Sequence, residues 1–258
     1  MGKILAVVNQ KGGVGKTTTA VNVATYMALE GVQVLLVDLD PQGNATSGLG
    51  IDRGTIEASI YDVLVEGTPL ATAVLPTQVS GLSILPSTLD LAGAELQLMS
   101  MFSRETLLKQ ALVKTEKQYD IILIDAPPSL GLLTLNALVA ATALLIPMQT
   151  EYYALEGISQ LLRTVELVKR QLNPTLEIER VVLTMHDERT RLARQVVEEI
   201  KNYFGELVSP TIVPRNVRLS ESPSHGMPIA LYDPRSRGAI AYKAIAKEVL
   251  QYGKTGSR

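Results

Sequence analysis

The sequence predicts an α/β fold in which a mostly parallel β-sheet is flanked by helices on both faces. Three observations predict it. Short runs rich in β-branched residues recur along the 258 residues and alternate with helical patterns. The runs are apolar throughout, as strands covered on both faces require. A glycine-rich stretch falls between the first run and the first helical pattern, joining strand to helix.

In chain order, residues 4–8 form the first predicted strand and 17–30 the first helix, stopped at Gly31. A second strand over 32–37 runs into Asp38-Leu39-Asp40-Pro41-Gln42, followed by a polar, glycine-rich loop over 43–54. Helical pattern resumes at 59–65, a strand is expected at 82–85, and two helices at 89–101 and 104–117, the second N-capped by Ser103. The apolar strand 121–124 leads into Asp125-Ala126-Pro127-Pro128-Ser129. Helix follows at 132–141 and strand at 143–147. The longest helix is expected over 155–172, ended by Asn173-Pro174. Strand 181–185 and helix 191–204 come next. The run 208–213 leads into a loop at 214–227, and a last helix at 237–252 turns Ile240, Ile245, Val249 and Leu250 toward one side. No repeat, low-complexity segment or linker interrupts the series. Residues 1–258 therefore read as one domain, with a short flexible tail after about 252.

Composition narrows the function classes. Hydrophobic content of 46% with 19% charged residues is that of a soluble globular chain. No apolar run approaches the ~20 residues needed to span a bilayer. The N-terminus lacks a signal-peptide pattern, so a cytoplasmic location is expected. The absence of cysteine excludes disulfides, thiolate nucleophiles and cysteine-held clusters, and two histidines are too few for a zinc site. A net charge of −2 gives no global pull toward nucleic acid, so any such contact must come from local patches. With no Trp and two Phe, aromatic base-stacking platforms are poorly supported.

The stretch 9–19, NQKGGVGKTTT, carries the chemistry. Gly12, Gly13 and Gly15 let the backbone N–H groups of Gly12, Gly13, Val14 and Gly15 wrap a phosphate chain, and a helix starting near Lys16 aims its positive end at the same anion. Lys16 reaches the β and γ oxygens, the Thr17 hydroxyl suits Mg²⁺, and Thr18 follows it into the first turn. These features make the expected fold a P-loop NTPase. The usual spacing G-x-x-x-x-G-K-[ST] is broken, because its first glycine position holds Gln10 and the next holds a second lysine, Lys11. A loop already carrying Lys16 gains little from another cation on the same phosphates. Lys11 is thus free to serve a nucleotide elsewhere, for instance on a second subunit.

Open α/β sheets bind ligands at the C-terminal ends of their strands, and two predicted strands end there in carboxylates. Asp125 follows four apolar residues, as expected of the acid that holds a Mg²⁺ shell through water. Asp38 and Asp40 end the second strand. One of them, with Gln42 nearby, could position the water that attacks the γ-phosphate, and Asp40 is preferred because it lies farther out in the loop.

The blocks KGGVGKTT, DLDPQGNATSGLG, IDAPPSLGLLTLNAL, EYYALEG and PRNVRLSESPSHGMPI together resemble the ParA/Soj family of chromosome- and plasmid-partitioning ATPases, from about residue 3 to 250. The resemblance implies a deviant Walker A ATP hydrolase, slow and partner-stimulated, using ATP/ADP and Mg²⁺. It also implies a homodimer that sandwiches two ATP molecules, with Lys11 reaching the partner's nucleotide. By the same resemblance Gly12 to Thr18 hold phosphate, Thr17 ligates Mg²⁺, Asp40 orients the hydrolytic water, and Pro214 and Asn216 belong to the adenine-binding segment. A ParB/Spo0J-type centromere-binding protein is the implied partner, non-specific DNA the implied surface, and the nucleoid the implied place of work.

For DNA contact, Arg189, Arg191 and Arg194 cluster at the start of a predicted helix, and Arg215 and Arg218 lie in the later loop. The resemblance selects Arg189 and Arg218. The alternative is a MinD-like positioning ATPase working on a surface other than DNA, which needs a C-terminal amphipathic membrane helix. Here the chain ends GKTGSR after a helix that reads as docked on the core, so no membrane partner is expected. His186 and His225 read as a local hydrogen-bonding residue and a turn residue.

Overall fold

Pleat alternation sorts the first strand, β1 (Lys3–Val7): Ile4 and Ala6 face one side of the sheet, Leu5 and Val7 the other, and all four are buried. The same logic recurs in β2 (Val34–Asp38), the two-residue β3 (Leu75–Pro76), β4 (Leu82–Leu85), β5 (Ile121–Asp125), β6 (Ala143–Gln149) and β7 (Glu177–Thr184). These seven form one sheet in the order β3-β4-β2-β5-β1-β6-β7. Every neighbour pair is parallel except β3–β4, which is antiparallel at the edge. This computed structural model describes residues 2–113, 115, 118–151 and 154–255, with backbone alone for 154–156 and 252–255.

Helices cover both faces. On one side lie α1 (Lys16–Leu29) and α11 (Arg237–Thr255), together with α2 (Asn44–Gly48), α9 (Val217–Glu221) and α10 (Ile229–Tyr232). On the other are the short α3 (Leu70–Ala73), then α4 (Leu91–Leu98), α5 (Leu107–Val113), α6 (Leu132–Ala140), α7 (Ala154–Gln171) and α8 (Arg191–Phe204). Asn173 secures the second layer from outside its own helix. Its Nδ2 donates to the carbonyls of Leu138, Val139 and Ala141, which α6 cannot satisfy internally.

The predicted parallel α/β architecture is the one observed, and six local expectations are corrected. The stretch 43–54 is not a loop throughout. It contains α2 and a 3₁₀ turn at Arg53–Thr55, because the buried Asp38 carboxylate accepts from both the N–H (2.8 Å) and the hydroxyl (2.7 Å) of Thr46. The stretch 214–227 likewise contains α9, N-capped by Asn216, and a 3₁₀ turn at Ser222–His225. Ser103 does not cap α5, which begins at Leu107; the N–H and hydroxyl of Thr106 donate to its carbonyl instead. Ile240 is 61% exposed, since the buried stripe of α11 runs through Tyr242, Ile245, Ala246 and Val249. Among the described elements α11, at 19 residues, is longer than α7 at 18. Since α11 continues to Thr255, the expected tail after 252 is helical that far, and 256–258 lie outside the described residues.

Candidate active site

The sheet order sets the site. β5 lies between β2 and β1, and the register aligns Asp38, Asp125 and Val7 across the three strand ends. The glycine-rich loop leaves β1 at this edge. Asn9 ties its start to β6 by donating Nδ2 to the Pro147 carbonyl (2.7 Å), while its Oδ1 accepts from the Lys11 N–H (3.0 Å). Two further side chains hold the loop: Gln149 Nε2 donates to the Gly13 carbonyl (2.8 Å) and Thr184 Oγ1 to that of Val14 (2.9 Å).

Gly13 and Gly15 sit at φ +73° and +85°, where a side chain would be strained. A Cβ on Gly12 or Gly13 would meet no protein atom within 4 Å, so no packing contact demands glycine at either position. Gly15 precedes α1 in a left-handed conformation, and the helix has neither a side-chain cap nor an acidic residue in its first turn. Its free N–H groups and its dipole therefore face the loop without competition from the protein, an arrangement suited to an anion.

Lys16 is only 6% exposed, and its ammonium donates to the Lys11 carbonyl at 3.2 Å. Burial lowers its proton affinity, while Asp125 and Asp40 act to restore it. Asp125 is fully buried, and neither carboxylate oxygen has a well-formed hydrogen bond. Burial pushes this carboxyl well above the ordinary range, and the charge of Asp38 adds to the rise; the neighbouring Thr17 hydroxyl opposes it. Two orphaned, buried oxygens beside a threonine hydroxyl form an oxygen-only donor set. That set fits a hydrated magnesium ion, a hard cation that keeps several of its waters.

Asp38 and Asp40, one strand over, divide into two roles. Asp38 is wholly buried and its oxygens are occupied by Thr46 and by the Asp40 N–H (3.3 Å), with its carboxyl pushed up to about 6 by burial. It is a structural pin for the loop. Asp40 is 8% exposed and uses Oδ1 to accept from the Gln42 N–H (2.9 Å), which leaves Oδ2 available. Arg53 supports the turn from outside, donating to the Gln42 (2.8 Å) and Pro41 (3.4 Å) carbonyls.

Pro214 and Asn216 line a cleft of about 350 Å³ with Gly15, Thr18, Thr184 and Met185, directly behind the phosphate loop. Lys11 turns away from its own loop to pair with Glu151 Oε2 at 3.3 Å, and Arg215 approaches the other oxygen of Glu151 at 3.7 Å. Sequence reasoning missed Glu151, Thr184 and Met185. Glu151 was within sight, two residues beyond β6 on the ligand-binding edge.

Arg189 and Arg218 lie on neighbouring segments. His186 bridges to Pro214 and accepts from the Arg215 N–H at 3.0 Å, so the two loops run side by side. Both arginines already hold carboxylates: Arg189 pairs with Asp187, and Arg218 with Glu221 and Asp233. Arg191 and Arg194 are exposed on α8. His186 Nδ1 meets the Thr150 hydroxyl at 3.3 Å, a local contact, and His225 stacks on Tyr232 in its turn.

A family profile described as an AAA domain matches residues 2–178. The sporulation initiation inhibitor protein Soj of Bacillus subtilis is 58% identical over 253 residues, covering 98% of this chain and 100% of that protein. The chromosome partitioning protein ParA of Myxococcus xanthus is 53% identical over 251 residues, covering 97% and 89%. Among solved structures, one titled cobyrinic acid a,c-diamide synthase from Mycobacterium smegmatis, with bound ADP and magnesium, superposes with a TM-score of 0.87. It is 38% identical, covering 99% of this chain and 97% of that one.

Proposed function

The chain belongs to the ParA/Soj family of partitioning ATPases, and from that premise we propose that it is a Mg-ATP-dependent dimerisation switch acting on DNA. The observation that carries this reading is the uncapped N-terminus of α1 beside the buried, unpartnered carboxylate of Asp125. The ADP and magnesium in the Mycobacterium smegmatis structure support the same ligands here.

In this reading the loop N–H groups from Gly12 to Thr18 and the Lys16 ammonium bind the β and γ phosphates. Thr17 and, through water, Asp125 would hold magnesium, which when bound would neutralise charge developing on the transferred phosphoryl group. Asp40 holds and orients the attacking water with its free oxygen, on a turn fixed by Gln42 and Arg53. Pro214 and Asn216 flank the base in the cleft behind the loop. Lys11 completes the site of a second copy. Its pairing with Glu151 is solvent-exposed and worth at most about 1 kcal/mol, so it is easily surrendered.

Residues 1–258 act as one unit. ATP closes the dimer, the dimer doubles the phosphate contacts made through Arg189 and Arg218, and non-specific DNA binding follows on the nucleoid. A ParB/Spo0J-type protein stimulates hydrolysis and releases the dimer. The MinD-like alternative is disfavoured because the apolar stripe of α11 is already packed against α1. The test is DNA binding with ATP, ADP and no nucleotide across a range of salt. Tight, salt-sensitive binding with ATP alone is expected; equal binding in all three states would overturn the switch.

A further inference from the structure

Arg189 and Arg218 are clamped. Arg189 is 87% exposed yet grips Asp187 through Nε (2.8 Å) and Nη2 (2.7 Å), a bidentate pair. Asp187 is itself fixed, because its Oδ1 also accepts from the Arg189 N–H at 3.1 Å. Arg218 donates to Glu221 (2.9 Å) and lies 3.5 Å from Asp233, while the Tyr232 hydroxyl donates to the same oxygen of Glu221 at 3.1 Å. Close by, Arg215 pairs with Glu151 and Arg237 with Glu188. Glu188 and Arg237 line one cleft with His186 and Pro214, and the His186–Pro214 bridge sets the loop carrying Asp187 and Arg189 beside the one carrying Arg215. In these pairs the four arginines (189, 215, 218, 237) face five carboxylates (151, 187, 188, 221, 233), of which Glu151 also holds Lys11.

We propose that Asp187 and the Glu221–Asp233 pair are built-in phosphate surrogates, which hold the guanidinium forks of Arg189 and Arg218 outward but neutralised until DNA phosphate displaces them. This deepens the DNA-binding reading and rests on it. A planar fork held by a carboxylate already has the geometry that phosphate demands. A displaced carboxylate stays tethered beside the phosphate and cancels much of the arginine's charge. Fewer counterions then leave the DNA than the arginine count predicts, so affinity and its salt dependence are both held down. Weak contacts of this kind suit a protein that must leave DNA promptly after hydrolysis.

Asp187→Asn and Glu221→Gln (the latter combined throughout with Asp233→Asn, since Asp233 also faces Arg218) remove the charge but keep an acceptor for the Arg189 N–H and the Tyr232 hydroxyl. Binding of the full chain with Mg-ATP to a mixed-sequence DNA duplex should tighten several-fold in each variant at fixed salt. The slope of log affinity against log salt should steepen by up to about 0.9 for each freed arginine. Arg189→Ala and Arg218→Ala should weaken binding. Glu166→Gln, which neutralises the partner of Arg170 on α7, should change neither quantity. If the arginine variants weaken binding while Asp187→Asn and Glu221→Gln match wild type, the clamps are inert and the proposal falls. Equal tightening in Glu166→Gln would also overturn it, by showing bulk charge at work. Wild-type binding in both arginine variants would instead remove the underlying assignment of this surface to DNA.

Discussion

Asp125→Asn should stabilise the ligand-free protein while destroying its ATPase activity. The wild-type carboxylate is fully buried at the end of the central strand β5, with no well-formed hydrogen bond on either oxygen and Asp38 level with it on the adjacent strand. An unsatisfied buried polar group costs about 1–3 kcal/mol, and more when charged. The isosteric amide removes the ionisation that burial and Asp38 oppose, together with its weaker attraction to Lys16, without opening a cavity. Each kcal/mol moves the thermal midpoint of a chain of this size by about 2–4 °C, so a rise of roughly 2–12 °C is expected without ligand. With Mg-ATP the order should reverse, because binding stabilises only the variant that still binds. Thermal unfolding of both proteins, with and without Mg-ATP, reads both effects. A lowered ligand-free midpoint in Asp125→Asn would refute the view that this carboxylate is held at a cost for a cation.

Asp40→Ala should retain Mg-ATP binding but lose about 10²-fold or more in turnover, measured as phosphate release at saturating ATP, because only the water-orienting group is removed; wild-type turnover would take Asp40 out of the mechanism. Lys16→Ala should abolish nucleotide binding by calorimetry, and normal binding would refute its phosphate role. The ligand-free protein should lose stability as pH rises from about 4 through 6. Asp38, with its carboxyl pushed up to about 6, keeps its proton in the fold after the unfolded chain has released its own near the ordinary 3.9. That contribution is complete below the unfolded value and gone above the folded one. It amounts to about 3 kcal/mol at most, and Asp125 acts in the same direction. Asp38→Asn should flatten the pH dependence of the midpoint, and an unchanged slope would assign the titration elsewhere.

The central strands and their covering helices were legible because unbroken apolar runs such as those in β5 and β6 leave one arrangement, a sheet buried on both faces. The phosphate loop was legible because glycine, lysine and hydroxyl spacing serves a ligand common to many proteins. What escaped prediction depended on distant partners. α2 forms because Asp38, eight residues before Thr46, is buried at the sheet edge and caps it. Ile240 looked like core on periodicity, yet the face that packs on α1 is fixed by Tyr242, whose hydroxyl meets Thr19 at 3.1 Å. The pairing of Lys11 with Glu151 spans 140 positions and is set by the β1–β6 neighbourhood, which no local pattern encodes. Arg189 and Arg218 were visible as basic residues, but not as basic residues already holding carboxylates.

Lys11 is the residue on which the dimerisation account turns, since it leaves its own phosphate loop although Lys16 stays buried within it. Sedimentation of wild type and Lys11→Ala with Mg-ATP, alongside calorimetric nucleotide binding, tests that account most directly. The prediction is near-normal ATP binding in Lys11→Ala with the protein remaining a monomer at concentrations where wild type dimerises. A variant that binds ATP and dimerises like wild type would contradict it.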